Sequence, residues 1–296
     1  MIKRILVVEN GTYLHREHCQ LVLERDRQRI GQVPFEDLGV LVLDHPAIVL
    51  TQSVLVACQE AGAAVIISDE RHLPAGLLLP LNGHTLHARI LDAQIHLGEG
   101  LKNRLWRVLI QAKIAAQAST LEKQAPEIAA YLRARINRVR SGDPENLEAQ
   151  AAKIYWPALF GDEFRRGDDS HQVNSALNYG YALLRAALAR AIVGSGLHPA
   201  LGIHHHNQYD HYRLADDLME PLRPWVDGQV RAIAPAEIGS FPPLDPPLKR
   251  VLLRLLEGEL TLGKRRLPLF AALSGYTASL AGVACGQNKL LKIPTP

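Results

Sequence analysis

Cysteine is scarce in this chain of 296 residues, which holds only Cys19, Cys58 and Cys285. They lie far apart and are odd in number, so the sequence contains neither a disulfide framework nor a Cys-x-x-Cys metal site. This usage favours a reduced, cytoplasmic compartment. Long apolar runs are also missing. The apolar start, Met-Ile-Lys-Arg-Ile-Leu-Val-Val, is too short for a signal peptide, and no stretch approaches the 18 apolar residues that indicate a membrane span.

The chain has little net charge, only +3, so no overall basicity points to nucleic acid. The charges are nevertheless unevenly distributed, because residues 98–140 hold nine Lys or Arg against three Glu. Such a local excess can bind phosphate groups, although a solvated helix face is the commoner reason for it. The candidates for contacts to phosphate groups are Lys102, Arg104, Arg107, Lys113, Arg133, Arg135 and Arg138.

The pattern of apolar residues predicts an α+β protein in which a small β-rich domain, 1–83, precedes a larger all-helical domain, 84–296. Short β-branched or alternating runs predict strands at 4–8, 19–24, 28–34, 39–43 and 64–69, with one helix near 50–59. One helix among strands favours a small sheet or sandwich over a repeating βαβ unit. Spacings of three and four predict helices near 85–96, 99–121, 125–139, 145–159, 171–194, 208–220 and 247–256. The last 20 residues lose this periodicity and are expected to form a loose tail.

Three separated segments each offer side chains that bind metal ions. Residues 146–156 carry Glu148, residues 202–206 end in three histidines, and residues 214–220 carry Asp217 and Glu220. Two carboxylates and one imidazole suit Mg²⁺ or Mn²⁺ in phosphate chemistry. Each segment also has an ordinary structural explanation: a glutamate favoured by a helix N-terminus, a polar turn, and two acids on a solvated helix face.

The run His204-His205-His206 leaves the imidazole ligand open. Adjacent residues point in different directions, so three consecutive histidines do not easily bind one ion. Zinc is the main competitor for such a run, but no thiolate lies nearby and no His-Glu-x-x-His motif is present.

Taken together, residues 146–156, 173–183, 197–205 and 214–224 resemble the CRISPR-associated integrase of spacer acquisition. That family is similar in having an N-terminal β domain and a larger helical domain. The resemblance implies that Glu148, His205 and Glu220 are the catalytic residues and the ligands of Mg²⁺ or Mn²⁺. Asp217, at a position that is also acidic in many relatives, is a further candidate to support the ion.

The resemblance also implies a reaction. The 3′-hydroxyl of a short DNA duplex attacks a phosphodiester at the edge of a CRISPR repeat, and with water as nucleophile the same site is an endonuclease. One phosphodiester replaces another, so no nucleoside triphosphate is needed, and the sequence has no Gly-x-x-x-x-Gly-Lys-Ser/Thr loop. The alternatives are a zinc-dependent metallohydrolase and a non-catalytic DNA-binding scaffold.

The expected partners follow from the same resemblance. They are double-stranded DNA, as prespacer duplex and CRISPR repeat, a second copy of the chain, and a small second adaptation protein that bridges two dimers. A single large effector nuclease is a further expected partner. Two integration events need two sites, so we expect a homodimer formed through the first 80 or so residues. The expected location is the cytoplasm of a prokaryote, without a membrane association.

Overall fold

A computed structural model describes residues 4–70, 74–81, 83–168, 171–233 and 241–296. The N-terminal region holds eight described strands and one helix: β1 (Arg4–Val8), β2 (Tyr13–Glu17), β3 (Gln20–Arg25), β4 (Gln28–Pro34), β5 (Leu38–Leu43), β6 (Val49–Leu50), α1 (Gln52–Glu60), β7 (Ala64–Ser68) and β8 (Pro74–Leu78). The remaining elements are α2 (His87–Ile95), α3 (Glu99–Leu121), α4 (Pro126–Ile136), α5 (Leu147–Phe160), α6 (Gln172–Gly194), α7 (Arg213–Met219), α8 (Arg223–Ile233), α9 (Pro246–Leu253), β9 (Glu259–Leu262), β10 (Arg265–Pro268) and α10 (Leu269–Ala284).

The N-terminal strands form two sheets. In the first, ordered β1-β5-β7-β8, the strands β1, β5 and β7 are parallel and β8 is antiparallel. In the second, ordered β4-β3-β2-β6, β6 runs parallel to β2 and the other pairs are antiparallel. The path from β5 to β7 includes α1, so the region contains one βαβ unit, which it does not repeat among the described residues.

Strand β5 contributes side chains to both parts of the molecule. All six of its residues are buried. Its side chains alternate between two cores. Val40 and Val42 belong to the large core built by the helices, whereas Leu41 and Leu43 belong to a smaller core under α1. The predicted boundary at residues 83 and 84 therefore separates two kinds of secondary structure that share packing.

Helix α6 forms the centre of the helical part and packs against α7, α8, α9 and α10, and also against β7 and β8. Helix α3 packs against α4, α5 and α8, and also against a 3₁₀ turn at Glu220–Leu222. These contacts place α3 between the helix that carries Glu148 and the turn that carries Glu220.

Three features correct the sequence-based expectation. The hairpin of β9 and β10 shows that the second region is not all-helical. Helix α10 extends to Ala284 and so covers residues 277–284, the first eight of the 20 for which the sequence predicts a loose tail. It is buried on most of its surface, so it has no long polar face and lacks the periodicity that reveals amphipathic helices. Helix α8 was also missed, since Pro221 and Pro224 interrupt its start. Across the described ranges, no helix combines the length and apolar character that a membrane crossing requires.

Candidate active site

A lysine lies between two of the acids that the sequence nominated. Nζ of Lys113, from α3, donates a hydrogen bond to Oε1 of Glu148 and lies 2.5 Å from Oε2 of Glu220. The side chains of Lys113 and Glu220 are 11% and 8% exposed, and that of Glu148 is 28% exposed. The carboxylates thus meet around one ammonium group, and the open side of this cluster is at Glu148.

The start of α5 determines the position of Glu148. Carboxylate oxygens of Asp143 accept hydrogen bonds from the backbone N–H groups of Leu147 and Glu148, each at 3.0 Å. Asn146 precedes the helix in a left-handed conformation, with φ of 51°. Glu148 is therefore in the first turn of α5, where the helix dipole favours a negative charge. The segment Ser-Gly-Asp-Pro at 141–144 predicts that Asp143 caps this helix, and the two hydrogen bonds confirm it, although the helix begins at Leu147 and not at residue 145.

Glu220 is held by a break between two helices. Pro221 cannot donate a backbone hydrogen bond, and α7 passes into the 3₁₀ turn before α8 begins at Arg223. Nε of Arg223 donates to Oε1 of Glu220 at 2.9 Å. Burial would raise the pKa of Glu220, but the charges of Lys113 and Arg223 outweigh it and hold that pKa at about 2. Glu220 is therefore ionised at every physiological pH.

The histidine run is anchored on a single buried carboxylate, that of Asp217. Its Oδ2 accepts hydrogen bonds from the backbone N–H groups of Ile203, at 2.5 Å, and His204, at 3.1 Å. Its Oδ1 lies 3.2 Å from the backbone N of His205 and 2.6 Å from Nδ1 of that ring. A Cβ atom on Gly202 would lie 2.8 Å from the His205 carbonyl oxygen, so a side chain at this position would disturb the turn.

This anchoring distinguishes the three histidines. A proton on Nδ1 of His205 suits the bond to Asp217 and leaves Nε2 as the atom with a free lone pair. The hydrogen bond that His205 donates to Asp217 raises the pKa of His205, and the nearby charge of Glu220 also contributes. His204 instead stacks on Trp106, with ring centroids 4.0 Å apart, and burial lowers its pKa. His206 is exposed.

The residues fit a divalent cation in their chemistry. Glu148 and Glu220 already share one cation, and Oε2 of Glu220 is a buried oxygen that accepts no well-angled hydrogen bond from the described residues. Nε2 of His205 adds an imidazole donor. Within the described ranges, however, no three His, Cys, Asp or Glu side chains are close enough together to surround an ion. The cluster is arranged around Lys113.

Asp216 adjoins Asp217 on α7, so the sequence predicts that its side chain points in another direction, toward solvent or Arg213. This prediction is wrong. Asp216 is buried, and its carboxylate accepts hydrogen bonds of 2.8 and 3.0 Å from Arg185. Burial raises the pKa of Asp216 to about 6, against the opposing charge of Arg185. Asp216 therefore fixes Arg185 and, at 3.9 Å, faces Arg223.

The basic residues nominated as DNA contacts fall into two groups. Lys113 is buried inside the site and so does not belong to an exposed basic face. The other six are exposed or half-buried: Lys102, Arg104, Arg107, Arg133, Arg135 and Arg138. Two of these form ion pairs within the chain, since Lys102 pairs with Glu99 at 2.9 Å and Arg133 pairs with Glu122.

Sequence reasoning missed the roles of Lys113, Trp106 and Arg223. A signal for Lys113 was present: it lies among Leu109, Ile110 and Ile114 on the apolar face of α3, where a lysine is unusual. Trp106 precedes it by seven residues, about two helical turns, and so points to the same side.

Comparison with known proteins decides the family. A family model described as "CRISPR associated protein Cas1" matches residues 5–238. The CRISPR-associated endonuclease Cas1 of Neisseria meningitidis serogroup C (strain 8013) is 37% identical over 297 residues, which cover 99% of this chain and 96% of that relative. The chain belongs to the Cas1 family. The resemblance drawn from the sequence is thereby confirmed.

Solved structures agree with the Cas1 fold. A casposase bound to integration product superposes with a TM-score of 0.79 at 20% identity, over 99% of this chain and 93% of that one. A Cas6-RT-Cas1–Cas2 complex superposes with a TM-score of 0.76 at 16% identity, over 98% of this chain and 36% of that one. At these identities the similarity concerns the fold alone.

Proposed function

We propose that this chain is a metal-dependent DNA integrase and endonuclease that inserts short DNA fragments into a CRISPR array as new spacers. Membership in the Cas1 family supports the reaction class. The observation that carries the site assignment is the meeting of Glu148 and Glu220 around one cation, beside an imidazole oriented by a buried carboxylate.

Glu148, Glu220 and Nε2 of His205 would hold Mg²⁺ or Mn²⁺. When bound, such an ion would supply Lewis-acid polarisation of the attacked phosphate and positive charge near the leaving 3′-oxygen. Asp217 orients His205 by holding both its ring and its backbone. Arg223 keeps Glu220 ionised and directed into the site.

The reaction exchanges one phosphodiester for another. A 3′-hydroxyl oxygen forms the new bond to phosphorus, and the bond from phosphorus to the 3′-oxygen of the repeat breaks. The incoming hydroxyl loses its proton and the leaving oxygen gains one, so no energy-rich cofactor is consumed. Exposed basic side chains of α3 and of the turn after α4, such as Arg104 and Arg138, would position the DNA through its phosphates without reading its sequence.

The partners are part of the same proposal. DNA as a partner is consistent with the casposase of similar fold, which was solved bound to integration product. A small second adaptation protein as a partner is consistent with the Cas6-RT-Cas1–Cas2 complex. A homodimer formed through the first 80 residues would supply the two active sites that paired integration needs. A single large effector nuclease stays a prediction.

A strand-transfer assay tests the function. A labelled short duplex is incubated with a supercoiled plasmid that carries a repeat, with EDTA, with Mn²⁺ or with Zn²⁺. We expect label to enter the plasmid with Mn²⁺ and not with EDTA. Tightly held zinc in the purified protein, together with hydrolysis of small substrates and no strand transfer, would favour the metallohydrolase alternative.

A further inference from the structure

Lys113 is a buried cation at the centre of the candidate site. Its ammonium group contacts a carboxylate from α5 on one side and a carboxylate from the 3₁₀ turn on the other. Two carboxylates brought this close repel each other unless a positive charge lies between them. Lys113 therefore supplies the charge that allows Glu148 and Glu220 to approach in the absence of metal.

We propose that Lys113 is an internal placeholder for the divalent ion. Its ammonium group keeps the two carboxylates together in the metal-free protein and leaves that position when Mg²⁺ or Mn²⁺ binds. This inference rests on the proposed function, because it assumes that Glu148 and Glu220 are the ligands of that ion.

Charge and geometry both support this role. The metal-free cluster is close to neutral, since Glu148 and Glu220 are balanced by Lys113 and Arg223. Two cations cannot both lie between the same carboxylate oxygens, because their repulsion is strong where water is scarce. Arg223 need not move, since it contacts the other oxygen of Glu220, Oε1.

The lysine side chain is suited to such a displacement. An ammonium group on a flexible four-carbon stem can withdraw while its helix stays in place. The exposed side of the cluster is at Glu148, whose side chain is 28% exposed compared with 8% for Glu220. Metal entry and withdrawal of the ammonium group therefore both take place on the Glu148 side.

Titration calorimetry of the full chain with MnCl₂ tests the proposal. Lys113→Met keeps a long unbranched side chain and removes the competing charge, so we expect Mn²⁺ to bind about tenfold more tightly or better, which corresponds to about 1.4 kcal/mol. The matched control is Lys123→Met, which removes an exposed lysine just beyond α3 and should bind as the wild type does. Glu220→Gln should lose this binding in both the wild-type and the Lys113→Met backgrounds.

Thermal unfolding gives a second readout that does not depend on activity. Without metal, Lys113→Met should melt at a lower temperature than the wild type, and saturating Mn²⁺ should remove most of that deficit. The double variant Lys113→Met with Glu148→Gln removes one of the repelling charges. It should therefore melt higher than Lys113→Met in EDTA and respond little to Mn²⁺.

The outcomes separate this inference from the proposed function. If the wild type binds Mn²⁺ through Glu148 and Glu220, and Lys113→Met binds it equally or more weakly, Lys113 is not a placeholder while the metal site stands. If Glu220→Gln binds Mn²⁺ as the wild type does, both the metal site and the placeholder are wrong.

Discussion

The candidate site and the outer face of α4 use the same residue types in opposite environments. In the site, Lys113 and Glu220 form a pair with side chains 11% and 8% exposed. On α4, Arg133 pairs with Glu122, and these side chains are 46% and 50% exposed. Water and salt screen the second pair, whereas the first has given up most of its hydration. Charge in the site is therefore fixed in place, and charge on α4 is available to a partner.

This difference separates chemistry from binding. A buried carboxylate has a defined position and a defined protonation state, as catalysis requires. An exposed arginine exchanges partners at little cost, as a sequence-independent contact to DNA phosphate requires.

The largest expected effect is the loss of strand transfer in Glu220→Gln. The amide keeps the size of the side chain but removes the negative charge that faces Lys113 and Arg223. We expect strand transfer to fall by more than about a hundredfold, since loss of even a supporting residue at a metal site costs about 10- to 100-fold. Duplex affinity, measured by fluorescence anisotropy, should stay near that of the wild type. The matched control is Glu122→Gln, which should keep its activity; equal losses in both variants would remove the distinction between the two regions.

A smaller effect is expected for Asp217→Asn. The amide of asparagine has one acceptor oxygen and one NH2 group that can only donate. It therefore cannot accept hydrogen bonds on both sides, from Nδ1 of His205 and from the backbone N–H groups of residues 203 and 204, so the anchoring of the ring is weakened. Strand transfer should drop by about 10- to 100-fold, with part of the loss recovered at high Mn²⁺ concentration. A Mn²⁺ titration of the initial rate measures this. Activity equal to the wild type at every Mn²⁺ concentration would show that Asp217 does not position His205.

Asp227 carries a buried carboxyl like that of Glu220, but it accepts its hydrogen bonds from tyrosines and not from cationic side chains. Tyr155 donates to it at 3.0 Å, and Tyr181 donates to its other oxygen. Burial raises the pKa of Asp227 to about 7, against the opposing hydrogen bonds from the tyrosines. A group whose pKa is higher in the folded state stabilises the fold at low pH and loses that contribution as pH rises through the folded-state value.

The expected measurement for Asp227 is urea unfolding at several pH values. Between about pH 4 and pH 7 the unfolding free energy of the wild type should fall relative to that of Asp227→Asn, by up to about 4 kcal/mol. Parallel stability curves for the two proteins across this range would show that Asp227 ionises normally in the fold.

The arginines of α4 and of the turn that follows it have a weaker and more gradual expected effect. Replacing Arg133, Arg135 and Arg138 with Ala should weaken duplex binding and flatten its salt dependence, by up to about 0.9 in log-log slope for each DNA phosphate that the variant no longer neutralises. Two of these arginines already contact side chains of the same chain, since Arg133 pairs with Glu122 and Arg135 lies over the ring of Tyr131. An unchanged salt slope in the triple variant would place the DNA path elsewhere, for instance along Lys264, Arg265 and Arg266.

The smallest effect is expected for His206→Ala. His206 is exposed, and among the described residues no hydrogen bond fixes its ring in the site, so strand transfer should change less than twofold. His205→Ala should be inactive in the same assay. The reverse result, with His206→Ala inactive and His205→Ala active, would show that the imidazole has been assigned to the wrong histidine.

The family and the acidic residues could be predicted from the sequence. The packing that brings these residues together could not, for physical reasons. Glu148, His205 and Glu220 are far apart in the chain, and no local spacing reports that α3 brings the two carboxylates together. They were found through the resemblance. Lys113 was interpreted as a contact to the DNA backbone because it lies in a basic stretch, although its place among Leu109, Ile110 and Ile114 indicates burial.

The fold was predictable where amphipathic patterns exist and not where they are absent. The predicted limits of α3 agree with the structure because its apolar stripe and its polar face are both long. Helix α10 escaped detection because most of its surface is buried. The tautomer of His205 depends on Asp217 through a turn that a sequence pattern does not describe.

A crystal structure with Mn²⁺, recorded at a wavelength that gives an anomalous signal from manganese, tests the site most directly. We expect one anomalous peak within ligand distance of Glu148, His205 and Glu220, with the ammonium group of Lys113 withdrawn from the carboxylates. A peak at His204 or His206, or a cluster still closed around Lys113 with manganese bound elsewhere, would contradict the assignment of this site.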